Sequence, residues 1–313
     1  MSAIITAEQL TMKFRGCEAL RGVDLKIQPG TVFALLGENG AGKTTLIRIL
    51  TGFQQPTGGT CRVGGINPTS DPGGVRRQIG YVSDSPAIYD WMTVNQIGGF
   101  TAAFYDAAFR KSFDKMMSRF DIRMDQKIRS LSKGQRAKVA LSLAIAHDPP
   151  LLILDEPTSG LDPKVRRNFL ESMIDRAASG RTVFLSSHQI AEVERVADTI
   201  GILHDGRIVL TGSLTELRSS FTRVTIDVDD PLRAIPMLPD PARVISEDRM
   251  GGGHQWIVRD CTPDTIESMR QSPGVIEVVA HAATLEEIFV ACTSNTPVEE
   301  SDLEPNVAPE RVS

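Results

Sequence analysis

Apolar residues in this chain come first as short continuous runs set between stretches of helical period, and later as strict alternation. Residues 4–30 read as short strands, with Ile27 running into a Pro29-Gly30 turn. Residues 31–36 form a buried strand, and 43–50 a helix closed by Gly52. A Gly- and Pro-rich stretch, 56–74, reads as loop with a short strand, and 79–82 is another apolar strand. From 93 to 129 the period is mainly helical, and the spacing of Phe100, Phe104, Phe113, Met117 and Phe120 predicts core packing. Helices are expected over 134–146, 163–178 and 190–197, with strands over 151–154 and 182–185. Two further apolar runs, 200–203 and 208–210, flank Asp205-Gly206, a hairpin signal.

Near residue 220 the texture changes. Val224, Ile226 and Val228 alternate as on a half-buried strand, and 231–238 reads as a short helix. Strands at 243–246 and 255–258 are separated by Gly251-Gly252-Gly253, then a helix at 262–270 and a strand at 275–279 follow. That order, βαββαβ, is ferredoxin-like. An amphipathic helix at 285–291 folds back on it, and the last residues, rich in Pro, Glu, Asp and Ser, are expected to be disordered. The domains are therefore set at 1–219, 220–292 and a tail at 293–313.

Composition narrows the class. The chain has 313 residues, 41% apolar and 23% charged, as in an ordinary soluble globular protein. No apolar run approaches the roughly 20 residues of a membrane helix, and the N-terminus lacks the features of a signal peptide. Cys17, Cys61, Cys261 and Cys292 show no metal or disulfide spacing, which favours a reducing, cytosolic compartment. A net charge of −5 with no basic block argues against a nucleic-acid partner.

The chemistry begins at Gly37-Glu38-Asn39-Gly40-Ala41-Gly42-Lys43-Thr44-Thr45, which fits the phosphate-loop pattern. Its glycines let the backbone curl so that successive N–H groups converge on phosphate oxygens. Lys43 supplies a point charge to the outer phosphates, and Thr44 offers its hydroxyl to Mg²⁺. Strand, glycine loop and helix stand in the order that brings anions to a helix N-terminus.

Two other apolar strands also run into polar groups: one ends in Asp155-Glu156, the other passes through Ser186-Ser187 to His188. Continuous apolar strands suit a parallel sheet covered on both faces, whose carboxyl ends form the ligand crevice. The three ends should meet around one triphosphate. Mg²⁺ at Asp155 leaves Glu156 to accept a proton from an attacking water, with His188 contacting the γ-phosphate. Taken singly, an acid at a strand end is a helix cap and a lone histidine is structural; the combination with Lys43 is what points to chemistry. Ser132 and Gly134, in Leu131-Ser132-Lys133-Gly134-Gln135, open the helix at 134–146 and read either as a plain N-cap or as a second anion site.

Together these pieces resemble the nucleotide-binding subunit of ATP-binding cassette (ABC) transporters, over about residues 4–217. GENGAGKTT is similar to Walker A, LSKGQ to the signature loop, LLILDEP to Walker B, SGLDP at 159–163 to the D-loop, and SSH at 186–188 to the switch histidine. Phe14 falls where the family places an aromatic that stacks on adenine, most members having Tyr there. The tail, with TLEEIF at 284–289, is similar to that of bacterial export subunits with separate permeases. The resemblance implies an α/β fold: a parallel-sheet core, an antiparallel β subdomain and a helical subdomain. Within it Gly37, Asn39, Gly40, Ala41, Gly42, Lys43, Thr44 and Thr45 bind ATP. It also implies a dimer of nucleotide-binding subunits, a homodimer most simply or else a heterodimer. Each ATP is then closed off by Ser132, Gly134 and Gln135 of the other copy.

Two departures stand out. Asp84, in IGYVSDSP at 79–86, replaces the usual Q-loop glutamine; it can ligate Mg²⁺ but adds charge beside Asp155 and Glu156. Lys133 replaces a signature glycine and is expected to face solvent. The stretch 86–93, with Tyr89, Trp91 and Met92, reads either as core packing or as a groove for a permease's cytoplasmic helix. The expectation is an ATPase on the cytoplasmic face of a membrane, powering export through a separate permease. The competing readings are an ABC ATPase serving a non-transport machine, and a regulatory module that no longer hydrolyses.

Overall fold

Apolar and polar residues alternate along β1 (Ile5–Phe14) and β2 (Cys17–Ile27), so each strand buries one face. The computed structural model describes residues 2–230, 238–250 and 253–294. It divides into two units, Met1–Ile208 and Val209–Ser313. In the first, β1 and β2 pair antiparallel from Ile5 opposite Ile27. The chain then enters β3 (Val32–Leu36), α1 (Lys43–Leu50) and β4 (Gly58–Val63), and β4 returns to β1 to give the order β2-β1-β4. These first strands are longer than the short ones expected. Gln9, at φ 47°, interrupts the β1 register and breaks the alternation that a sequence pattern follows.

The stretch 56–74 holds the short strand expected there, β4, and also the start of a helix that was not expected, α2 (Pro72–Gln78). Asp71 caps α2 by accepting from the Gly74 N–H, and Pro72 occupies the first turn, where its missing N–H costs nothing. Gly73 and Gly74 disguise that helix in the composition. After β5 (Ile79–Val82), α3 (Val94–Ala102), α4 (Ala107–Arg119) and α5 (Lys133–Ile145) pack around Val94, Ile97, Phe109, Phe113, Met117 and Val139. Phe100 and Phe104 do not join this core. They are 46% and 69% exposed, so the packing expectation is corrected for those two. Phe100 lies on α3, Phe104 in the turn that follows it and Phe113 on α4, so the helix break at 103–106 interrupts the period that the spacing suggested. Phe113→Ala is expected to cost about 3–5 kcal/mol, read from the urea midpoint, because the ring is fully enclosed.

β6 (Leu151–Asp155), α6 (Pro163–Ala178), β7 (Thr182–Ser187), α7 (Ile190–Val196) and β8 (Thr199–His204) complete the unit's core. Its parallel strands run β5-β6-β7-β3-β8. Every residue of β3, β6 and β7 is buried, which explains their uninterrupted apolar runs. Stacked Phe33 and Phe184, 5.5 Å apart, lock β3 to β7. The order leaves the carboxyl ends of β6, β7 and β3 side by side. At the end of β8, Asp205-Gly206 turns with φ 46° and 77°, as a type I′ hairpin requires.

The division between units falls inside β9 (Arg207–Ser213), earlier than the boundary expected after residue 219. The reason is α8 (Leu214–Ser220), which the sequence reading passed over. Its Ser213/Glu216 capping box starts it inside the second unit, and the Asp260 N–H donates to Ser220 O at 2.8 Å. There β10 (Phe221–Val228), β11 (Arg243–Met250), β12 (Gly253–Arg259) and β13 (Val275–Ala282) form an antiparallel sheet in the order β11-β12-β10-β13. That strand order is the one a split ferredoxin-like sheet has. α9 (Pro263–Arg270) covers one face through Met269, packed with Val224, Ile226, Trp256 and Val258. α10 (Leu285–Thr293) buries Leu285 and Ile288. The helix expected at 231–238 falls, but for Leu238, outside the described residues. So do Gly251 and Gly252 and, past Ser294, the expected tail.

Candidate functional site

The buried strand β3 empties into residues 37–42, where two glycines are held by backbone at close range. A Cβ on Gly37 would lie 2.6 Å from Leu203 O; one on Gly42, at φ 111°, would lie 2.6 Å from Ala19 O. Any side chain at either position forces the loop off β8 or β2. Gly42 precedes α1 with no side-chain cap, so the first N–H groups of that helix lack a side-chain partner, an arrangement suited to an anion. In front of the loop lies a cleft of about 350 Å³ bordered by Asn39, Gly40, Gly42, Lys43, Thr44 and Thr45. Gly37 and Ala41 lie behind this lining: Ala41 O accepts from the Gly206 N–H at 3.1 Å, tying the β8 turn to the loop.

Lys43 is buried and fully engaged. Its Nζ donates to Gly37 O at 2.7 Å and Glu38 O at 3.1 Å, and pairs with Glu156 Oε1 at 3.2 Å. The other Glu156 oxygen is 2.8 Å from His188 Nδ1. An ionised carboxylate only accepts, so Nδ1 carries the proton. Glu156 thus stands between a lysine from the β3 end and a histidine from the β7 end. Its backbone sits at φ 47°, a conformation costing about 1–3 kcal/mol in a non-glycine residue. The Glu156 N–H is held by both Ser186 O, at 3.2 Å, and Ser186 Oγ, at 3.1 Å, which offsets that strain.

Asp155, one residue earlier, has no exposure at all. Burial pushes its carboxyl above the ordinary carboxylate value; hydrogen bonds from Ser186 and Thr44 oppose the rise, and the charges of Asp84 and Glu156 add to it. Ser186 Oγ donates to Oδ1 at 2.7 Å, while Oδ2 is buried without a hydrogen-bond partner. A buried carboxylate oxygen next to the Thr44 hydroxyl is a fitting place for a divalent cation. Among the described residues no three His, Cys, Asp or Glu side chains are grouped so as to hold a metal ion by themselves, so phosphate oxygens and water would fill the rest of such an ion's shell. Asp84 lines the cleft with Glu156, and its Oδ1 accepts from the Ser85 N–H at 2.7 Å.

Other expected residues stand apart from this constellation. Phe14 is 47% exposed at the end of β1; across the turn from it, Cys17 and Glu18 line the cleft. Ser132 and Gln135 cap each other: Ser132 Oγ accepts from the Gln135 N–H at 3.2 Å, and Gln135 Oε1 from the Ser132 N–H at 2.9 Å. Neither they nor Gly134 line the cleft of their own chain. Lys133 is exposed, with its ammonium over Gly160 rather than in the cleft. Sequence reasoning missed Cys17, Glu18, Arg21 and Asp205 as lining residues. They arrive through hairpin register, for which no local motif exists.

A glycine loop between buried strand and helix, facing paired acids and a histidine at neighbouring strand ends, defines a nucleotide-hydrolysing P-loop protein. Residues 20–159 match the family model described as ABC transporter. The chain is 31% identical to the ABC-type transporter ATP-binding protein EcsA of Bacillus subtilis (strain 168), over 73% of this chain and 94% of the relative. It is 28% identical to the daunorubicin resistance ATP-binding protein DrrA3 of Streptomyces coeruleorubidus, over 93% and 96%. A solved ATP-binding subunit of an ABC transporter superposes with a TM-score of 0.64 at 30% identity, covering 69% of this chain and 92% of that one. The chain belongs to the ABC transporter family as an ATP-binding subunit, and it is an ATPase that drives transport.

Proposed function

We propose that this subunit binds ATP with Mg²⁺, closes as a pair of nucleotide-binding subunits, and powers export through a separately encoded permease. The observation that carries the catalytic part is the Glu156 carboxylate held between Lys43 at 3.2 Å and His188 at 2.8 Å. Gly37 to Thr45 cradle the phosphates, and Phe14 stacks on the base. Thr44 and Asp155, with Asp84 at the rim, hold Mg²⁺, which when bound neutralises phosphate charge. Glu156 takes a proton from the attacking water as its oxygen bonds to the γ-phosphorus and the bond to the bridging oxygen of ADP breaks. His188 holds Glu156 in place and meets the γ-phosphate. Ser132, Gly134 and Gln135 serve the other copy's ATP, in keeping with their distance from their own cleft.

Export is supported by the drug-resistance relative, whose match extends through the second unit. No helix among the described residues is long and apolar enough to cross a membrane. The permease reading rests on an exposed ladder of aromatic rings. Tyr89 lies 6.0 Å from both Trp91 and Phe100, and Phe100 is 5.5 Å from Phe104. Trp91 is 65% exposed, an expensive surface to leave in water and a natural anchor for an amphipathic helix. With a permease docked there, the subunit works on the cytoplasmic face of the membrane. The test is co-purification of the tagged subunit with a membrane protein, repeated with Trp91→Ala/Phe104→Ala. Recovery should fall by about 10-fold or more while ATPase activity of the isolated subunit stays unchanged. Equal recovery of the membrane protein by both forms overturns the docking assignment; finding none with the unmodified chain favours the non-transport reading.

A further inference from the structure

We infer that Glu192 is a positioning residue for hydrolysis, a buried carboxylate that fixes the spacing between the Glu156 and His188 strand ends and ties it to the 158–161 loop. Glu192 lies on α7, is 4% exposed, and is taken up neither by the phosphate loop nor by the cleft. Its Oε2 accepts from Thr158 Oγ1 at 2.6 Å and from Ser187 Oγ at 3.5 Å. Thr158 follows Glu156 by two residues, and Ser187 immediately precedes His188. One carboxylate oxygen therefore holds the segment leaving β6 and the segment leaving β7, while the catalytic pair contacts across the same gap at 2.8 Å.

The second oxygen extends the tie. Arg166 Nε stands 3.1 Å from Glu192 Oε1 as an ion pair without hydrogen-bond alignment. The same guanidinium donates to Gln189 Oε1 at 2.8 Å and to Leu161 O at 3.3 Å. Ser187 Oγ in turn accepts from the Gln189 N–H at 3.0 Å. A charge this buried is costly unless paired and hydrogen-bonded; here both hydrogen-bond donors, Thr158 and Ser187, come from segments next to the catalytic pair, and Arg166 of α6 supplies the opposite charge. Helix α7 could bury an apolar residue at this position with less desolvation. The carboxylate instead sets where two loops stand, and a displacement of about 1 Å at a reacting centre is enough to lose roughly 10²-fold in rate.

This inference rests on the reading of Glu156 as proton acceptor, so the experiment separates the two. In the full-length chain with Mg²⁺-ATP, Glu192→Ala should lower kcat by about 10²-fold with ATP affinity held within about 3-fold. Glu192→Gln, which keeps an oxygen for Thr158, should recover to within about 5-fold of the unmodified rate. In single turnover, Glu156→Gln/Glu192→Ala should be no slower than Glu156→Gln alone, because a positioning residue acts through the group it positions. A structural role alone predicts instead an added loss in the double variant. If Glu192→Ala fails to fold, Thr158→Val and Glu192→Gln decide. Thr158→Val should lower kcat by about 10-fold, again with no further loss on Glu156→Gln. Normal turnover in folded Glu192→Ala, or in Thr158→Val where that variant decides, overturns the inference alone. Normal turnover in Glu156→Gln overturns the catalytic reading and this inference with it.

Discussion

Glu156→Gln is expected to slow ATP turnover by about 10²–10⁴-fold, the range for loss of a general base. Glutamine keeps the shape and the hydrogen-bond acceptor facing His188 but cannot take a proton at neutral pH. Lys43 loses its ion pair at 3.2 Å and is freer to turn to a phosphate, so ATP affinity should hold or rise. On the proposed mechanism, binding without hydrolysis removes the step that separates the paired subunits. Light scattering on Glu156→Gln at saturating Mg²⁺-ATP should therefore report twice the mass of the chain. A monomer under those conditions, or turnover at the unmodified rate, sinks the assignment. The two readouts report on different parts of the site, since mass reports closure across the pair and rate reports proton transfer.

The loop at 37–45 was legible because everything that shapes it is local: a buried strand, glycines in fixed order, a lysine and a helix. Asp155, Glu156 and His188 were legible for a related reason. Each ends a strand buried on both faces, and a parallel sheet brings its carboxyl ends together whatever the connections are. The elements that escaped depend on information the pattern does not hold. Phe100 and Phe104 looked continuous with Phe113 at helical spacing, but the chain leaves the helix between Ala102 and Ala107, and a period counted across that break says nothing about which side faces the core. α2 was hidden by two glycines and betrayed only by Asp71-Pro72; α8 spans seven residues, too few for a helical period, and only the Ser213/Glu216 capping box marks it. Cys17 and Asp205 reach the cleft through the register of two hairpins. Glu192 looked like an ordinary helical acid, and only burial distinguishes it from Glu194 on the same helix.

Lys43→Ala is expected to act in two opposed places, and the comparison tests whether the ammonium belongs to the nucleotide or to the fold. A charge-assisted hydrogen bond to phosphate contributes about 1.5–3 kcal/mol, so ATP affinity measured by calorimetry should weaken by roughly 10- to 150-fold. Without nucleotide the same ammonium donates to Gly37 O and Glu38 O and pairs in charge with Glu156 Oε1, in a site where the lysine side chain is only 5% exposed. Its removal leaves that carboxylate facing His188 alone, so the unliganded chain should lose about 1–3 kcal/mol against urea. In the unmodified protein ATP must draw Lys43 away from those three oxygens, which lowers the net gain on binding and frees Glu156 as the phosphates take their place. Arginine does not substitute: a planar guanidinium fork cannot stand where the compact ammonium reaches Gly37 O and Glu38 O, so Lys43→Arg should bind ATP nearly as poorly as the alanine variant. If Lys43→Ala binds ATP as tightly as the unmodified chain while losing stability, the lysine is a structural brace and the phosphates sit elsewhere in the cleft.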